Sequence, residues 1–93
     1  MNIYELAKII DAEVDSKYYK VRVKDFKIDT RLIKHNDVFI AINDGHKYLN
    51  NIKKCKAIIV ENDFQKEGIP VLKVKDTKEA LKQIAIYKRL NYK

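Results

Sequence analysis

The order of apolar and polar positions divides this chain into alternating helical and extended stretches. Asn2, with Glu5 three residues later, is a capping-box signature. Ile3, Leu6, Ile9 and Ile10 then share one face of a 3.6-residue repeat, which predicts a helix over about residues 3–11. From residue 18 to 28 the period changes to two. Tyr19, Val21 and Val23 share one side, and Phe26 and Ile28 follow after a phase shift. That pattern predicts one or two strands, with a bulge or turn near Lys24 and Asp25.

The middle of the chain is uniformly apolar where it is extended. Val38-Phe39-Ile40-Ala41-Ile42, opened by Asp37, and Ala57-Ile58-Ile59-Val60 are continuous runs, the mark of strands covered on both faces. Between them Tyr48, Leu49 and Ile52 are spaced to face a core as a helix. Strand, helix and strand make a βαβ unit, and parallel strands with a right-handed crossover follow. Residues 61–68 are polar and predict a surface loop, and residues 70–74 a third short strand. Asp76, with Glu79 closing its box, starts a last helix whose inner face carries Ala80, Leu81, Ile84 and Ala85. The expected fold is α/β: a small mixed sheet with a parallel βαβ core and about three helices.

Composition narrows the function classes. At 93 residues the chain is one domain, and its two glycines and one proline argue against a loop-built or disordered chain. The net charge of +7 admits a nucleic-acid binder. However, only Arg22, Arg31 and Arg89 among the 20 basic residues are arginine, and forked recognition of phosphates and base edges prefers arginine. A lysine-rich soluble surface, or one anionic ligand, fits the same charge. A single cysteine, Cys55, excludes an internal disulfide, and with two histidines it makes no metal-ligand spacing. No apolar run is long enough for a bilayer and no secretory signal pattern is present, so the expected setting is a reduced cytoplasm without membrane contact.

The chemistry on offer gathers between residues 28 and 46. Thr30 offers a hydroxyl, and Arg31 a guanidinium that could grip a phosphate or fix its loop through a carboxylate. Asn43, Asp44, Gly45 and His46 follow a covered strand and open the expected helix, a place where backbone N–H groups lack partners and negative charge is favoured. Gly45 would let backbone approach a ligand and His46 offers a ring N–H, while Asp44 could equally be a helix cap with His46 exposed. His35 reads as an exposed turn residue and Cys55 as a small buried hydrophobe. No G-x-x-x-x-G-K-[ST] loop exists, so the chain cannot cradle ATP in that way.

With these residues in place, the chain resembles the N-terminal domain of the Mur ligases, nearest the type that adds D-alanyl-D-alanine to a UDP-N-acetylmuramoyl-tripeptide. Asp29-Thr30-Arg31 matches the family's Asp-Ser/Thr-Arg, residues 37–42 its Asp-x-Phe-x-Ala strand, and Asp44-Gly45-His46 its Asp-Gly-His. Val74-Lys75-Asp76-Thr77, with Ala80-Leu81 and Ile84-Ala85, is similar to the ending of that domain. The chain departs from the pattern at His35-Asn36, where the family has Pro-Gly, and at Asn43, which alone joins Ile42 to Asp44 where the family has a longer loop.

The resemblance implies a domain that holds a UDP-N-acetylmuramoyl-peptide through Thr30, Arg31, Asn43, Asp44, Gly45 and His46 and performs no bond chemistry itself. ATP and magnesium would belong to a central ligase domain in cis, leaving this chain without a cofactor of its own. Two rivals remain open: an interaction module that kept the fold and lost the nucleotide, and a lysine-based nucleic-acid binder.

Overall fold

A computed structural model describes residues 1–42, 47, 49, 52 and 54–91. Helix α1 spans Ile3–Ile10, strand β1 Phe26–Lys27, β2 Val38–Ile40, β3 Ala57–Val60, β4 Val71–Lys73 and helix α2 Thr77–Asn91. The four strands form one sheet in the order β1-β2-β3-β4, and all three pairings are parallel. The expected mixed sheet is therefore corrected to a parallel one among the described residues. Each strand is followed by a connection long enough to return to the starting edge, so no hairpin arises. Antiparallel pairing is confined to two isolated bridges, Asn2 to Arg22 and Glu13 to Lys73.

This winding decides what covers each face. A sheet that advances steadily in one direction, with crossovers of one hand, places every connection on the same side. The alternation of the strands fits that rule. Val38, Ile40, Ala57, Ile59 and Leu72 pack with Ile3, Leu6 and Ile10 of α1 and Ala80 and Ile84 of α2. Phe39, Ala41, Ile58 and Val60 point to the other side, where Leu49, Ile52 and Cys55 are buried and Ile33, Phe64 and Ile69 pack in support. The helices that precede β1 and follow β4 thus share one face, and the connections share the other. Both faces of β2 and β3 are covered, as their unbroken apolar runs require.

α1 forms as its capping box predicts. The Asn2 side chain accepts from the Glu5 N–H at 2.8 Å, and Glu5 Oε1 accepts from the Asn2 N–H at 3.2 Å. The helix stops at Asp11, which takes the left-handed conformation at φ 53° and returns its N–H to the Ala7 carbonyl.

Residues 18–28 differ from the expected strand. A 3-10 turn occupies Ser16–Tyr18, and only Phe26–Lys27 joins the sheet. The intervening backbone serves α1 instead: the Val21 carbonyl accepts from the Ile3 N–H at 2.8 Å and the Tyr19 carbonyl from the Tyr4 N–H at 3.2 Å. These N–H groups open a helix and have no partner within it.

α2 begins as predicted, with Asp76 Oδ1 accepting from the N–H groups of Lys78 and Glu79. The Glu79 carboxylate accepts from the Gln83 side chain one turn on at 2.9 Å rather than closing a box. Ala80, Ile84 and Lys88 form the line that meets the sheet, with the Lys88 ammonium 5.1 Å from the centre of the Phe26 ring. Ala85, expected on the inner face, lies beside that line and is exposed. The helix expected between β2 and β3 falls mostly outside the described residues, so two α-helices are described where about three were expected. Of its core positions Leu49 and Ile52 are buried, and Tyr48 lies outside the described residues.

Candidate functional site

Parallel strands send all their following loops to one edge, and here those loops begin after Lys27, Ile40, Val60 and Lys73. Ligands of parallel α/β sheets gather at this carboxyl edge. The strand order contains no reversal, so no switch-point crevice is formed among the described residues and the loops themselves must build a site.

The loop after β1 is closely organised. Asp29 caps the 3-10 turn Thr30–Leu32, accepting from the Arg31 N–H at 2.9 Å. Its carboxylate also receives Arg31 Nε at 3.0 Å and Nη2 at 2.7 Å, a forked ion pair between residues two apart. The Arg31 hydrogen bonds hold the Asp29 carboxyl down at about 2, so the pair stays ionised across the physiological range. Of the two roles open to Arg31, the structure shows the one in which it fixes its own loop through a carboxylate. Its side chain is 86% exposed, and Nη1 takes no part in the fork. Thr30, half-buried, is the first residue of the turn so held. The remaining expected ligand residues, Asn43, Asp44, Gly45 and His46, lie outside the described residues. The strand pairing brings the start of their segment to the same edge, since Ala41 still donates to the Ile59 carbonyl at 3.0 Å.

At the other end of this connection, just ahead of β2, Asp37 anchors the return to the sheet. Its carboxylate is buried, accepts from the Lys34 N–H at 2.9 Å and lies 3.3 Å from Lys27 Nζ. Burial works to raise its pKa, but the Lys34 N–H and the Lys27 ammonium outweigh it and hold the group below the usual carboxylate range. Back on the carboxyl edge, after β3, Glu61 Oε1 accepts from both the N–H and the hydroxyl of buried Thr77, at 2.7 and 2.9 Å. Sequence reasoning passed over Glu61. Its one signal was position, directly after a covered strand.

Other candidates carry no chemistry. Burial pushes the Cys55 thiol up to about 11, which suits a small core residue and not a nucleophile. His35 is exposed in a turn, as expected. Among the described residues no group of three His, Cys, Asp or Glu could hold a metal ion, and no helix is long and apolar enough to cross a membrane. A hollow of about 580 Å³ lies beside β4 between residues 13–18 and 62–69. Lys73 faces Asp63 and Lys17 faces Asp15, and Glu13 and Glu67 outnumber the remaining Lys66, so it offers no net attraction for an anion.

These features define a small parallel α/β domain with polar, charge-fixed loops on the carboxyl edge of its sheet. No family model matches the chain. It is 34% identical over 88 residues to the UDP-N-acetylmuramoyl-L-alanyl-D-glutamate–2,6-diaminopimelate ligase of Clostridium perfringens, an alignment covering 87% of this chain and 18% of that protein. It is 30% identical over 95 residues to the UDP-N-acetylmuramoyl-tripeptide–D-alanyl-D-alanine ligase of Haemophilus influenzae, covering 96% and 21%. The crystal structure of MurF from Acinetobacter baumannii superposes with a TM-score of 0.83 at 25% identity, over 95% of this chain and 21% of that one. The chain is a Mur ligase relative with the fold of the N-terminal domain. It spans about a fifth of the length of the relatives it matches.

Proposed function

We propose that this chain is the substrate-recognition domain of a Mur-type amide ligase and holds the nucleotide end of a UDP-N-acetylmuramoyl-peptide. The observation that carries this reading is the turn Thr30–Leu32, clamped by the Asp29–Arg31 fork on the loop-bearing edge of a Mur-type sheet. A preformed turn lowers the ordering cost of binding. In this reading Thr30 meets the uracil or ribose, residues 43–46 approach the diphosphate and muramoyl portion, and Arg31 is a positioning residue.

Bond making would fall to a separate central domain, where ATP and magnesium activate a carboxylate as an acyl phosphate for attack by an amine. This domain would contribute orientation, the part of catalysis that comes from holding reactants in place.

Calorimetric titration with UDP-N-acetylmuramoyl-tripeptide tests the reading. Saturable heat that is lost in Thr30→Ala supports it. Silence at millimolar ligand overturns it and favours a module that kept the fold without the nucleotide, as the single residue Asn43 between Ile42 and Asp44 would then explain.

A further inference from the structure

The opposite edge of the sheet has a different electrostatic character. Lys24 precedes β1, Asn36 precedes β2 and Lys56 precedes β3, so parallel pairing sets them side by side at the amino edge. Backbone bonds fix the arrangement: Lys24 donates to the Asn36 carbonyl at 3.0 Å and Lys56 to the Asp37 carbonyl at 2.7 Å. Together with Arg22 they line a hollow of about 320 Å³. A second hollow of about 320 Å³ adjoins it through Lys56. Tyr18, Val21, Ile69 and Pro70 line it together with His35, Lys54 and Cys55.

No carboxylate lines either hollow. Some cations of the described residues face acids: Lys27 with Asp37, Arg31 with Asp29, Lys73 with Asp63 and Lys88 with Asp25. Arg22, Lys24, Lys54 and Lys56 enter no such pair among the described residues. Unpaired cations from separate segments, converging beside a partly apolar depression, form a surface with a defined complement.

We propose that the amino edge is a docking groove for an acidic segment of a partner protein that inserts one apolar side chain. Charge complementarity selects the acidic flanks, and the Tyr18–Pro70 hollow takes the anchor. A single-stranded nucleic acid fits less well, because it needs an open aromatic face on which to stack a base. The rings here are the small imidazole of His35 and Tyr18, which already has the Lys17 ammonium 5.1 Å from its centre. The groove lies at the far end of the strands from the turn Thr30–Leu32, so the inference stands apart from the proposed nucleotide site.

Fluorescence anisotropy on the whole chain tests it, with a labelled Asp-Glu-Leu-Asp-Glu peptide, its serine-centred analogue and an oligothymidylate as probes. The leucine peptide should bind best of the three. Lys24→Glu with Lys56→Glu should weaken it by about tenfold or more, through lost and reversed charge. Lys78→Glu with Lys82→Glu, the same net change on exposed positions of α2, should leave it unchanged. Absence of peptide binding, tighter binding of the oligonucleotide, or equal loss in both double variants would overturn the proposal. Should circular dichroism find the groove variant unfolded, amide shifts in the unaltered chain decide: they must cluster at residues 22–24, 36, 54–56 and 69–70, and shifts centred elsewhere refute it.

Discussion

The two faces of this sheet are covered by different kinds of structure, and they are held by different forces. On one face lie two capped helices whose apolar stripes, Ile3, Leu6 and Ile10 on α1 and Ala80 and Ile84 on α2, press on the strands. On the other lie the connections, with Leu49, Ile52 and Cys55 buried beneath them. There the chain is gripped by side chains that hold backbone: Asp29 caps the Thr30–Leu32 turn and Asp37 holds the Lys34 N–H. The helix face is an apolar contact between regular elements. The connection face is a thin apolar layer under polar clasps, and the proposed ligand loops belong to it.

The largest effects should separate the faces by packing. Leu6→Ala removes a fully buried side chain between rigid elements and should cost about 3 kcal/mol in urea denaturation, within the usual range for such cavities. Ile52→Ala should cost less, about 2 kcal/mol, because Ile52 lies outside the described helices and strands and its surroundings can settle into the space. Equal losses would erase the distinction.

Next in size is Asp37→Ala, which breaks a charge-assisted bond to the Lys34 N–H and should cost about 2 kcal/mol near neutral pH. The carboxyl is depressed in the folded state, so its contribution is present above the unfolded value of about 3.9 and fades as pH falls through the lower folded value. Melting curves of the two proteins should therefore converge in acid. A gap that persists at pH 2 would assign the effect to packing.

Smaller still, Asn2→Ala should cost about 1 kcal/mol, the usual value of an N-cap, and confine its damage to the helix face as seen in amide exchange. The smallest change in stability is expected for Asp29→Ala, since solvent screens a pair at the surface. Its effect should appear in ligand affinity, as about a tenfold weaker titration with UDP-N-acetylmuramoyl-tripeptide, equivalent to about 1.4 kcal/mol. Unchanged affinity would remove the clamp from the proposed site.

The same division governs what could be read beforehand. α1, β2, β3 and α2 were legible because apolar period and capping residues agree there, and both act over a few residues. Residues 18–28 were not. The alternation of Tyr19, Val21 and Val23 is real, but their backbone is spent on the open N–H groups of α1, a long-range demand that no local pattern carries. Ala85 misled for a related reason: small apolar residues satisfy several helix faces, and the core is met by Ala80 and Ile84 with Leu81 in support.

At the site, Asp29, Thr30 and Arg31 were legible as a motif, and fixing its loop through a carboxylate was one of two roles read for Arg31, though which of the two it takes was not. Both outcomes are compatible with the same three letters. The basic amino edge was hidden altogether, since its residues come from segments that only parallel pairing assembles.

The one-way winding of the sheet has a topological consequence. The carbonyl of Met1 binds the N–H of Val23, just ahead of β1, while Lys88 near the end of α2 reaches Asp25 in the same place. Entry and exit of the described chain thus share a corner. A circular permutant that splices this corner with a short flexible tether, and opens the polar stretch between β3 and β4, would retain both clusters and should fold.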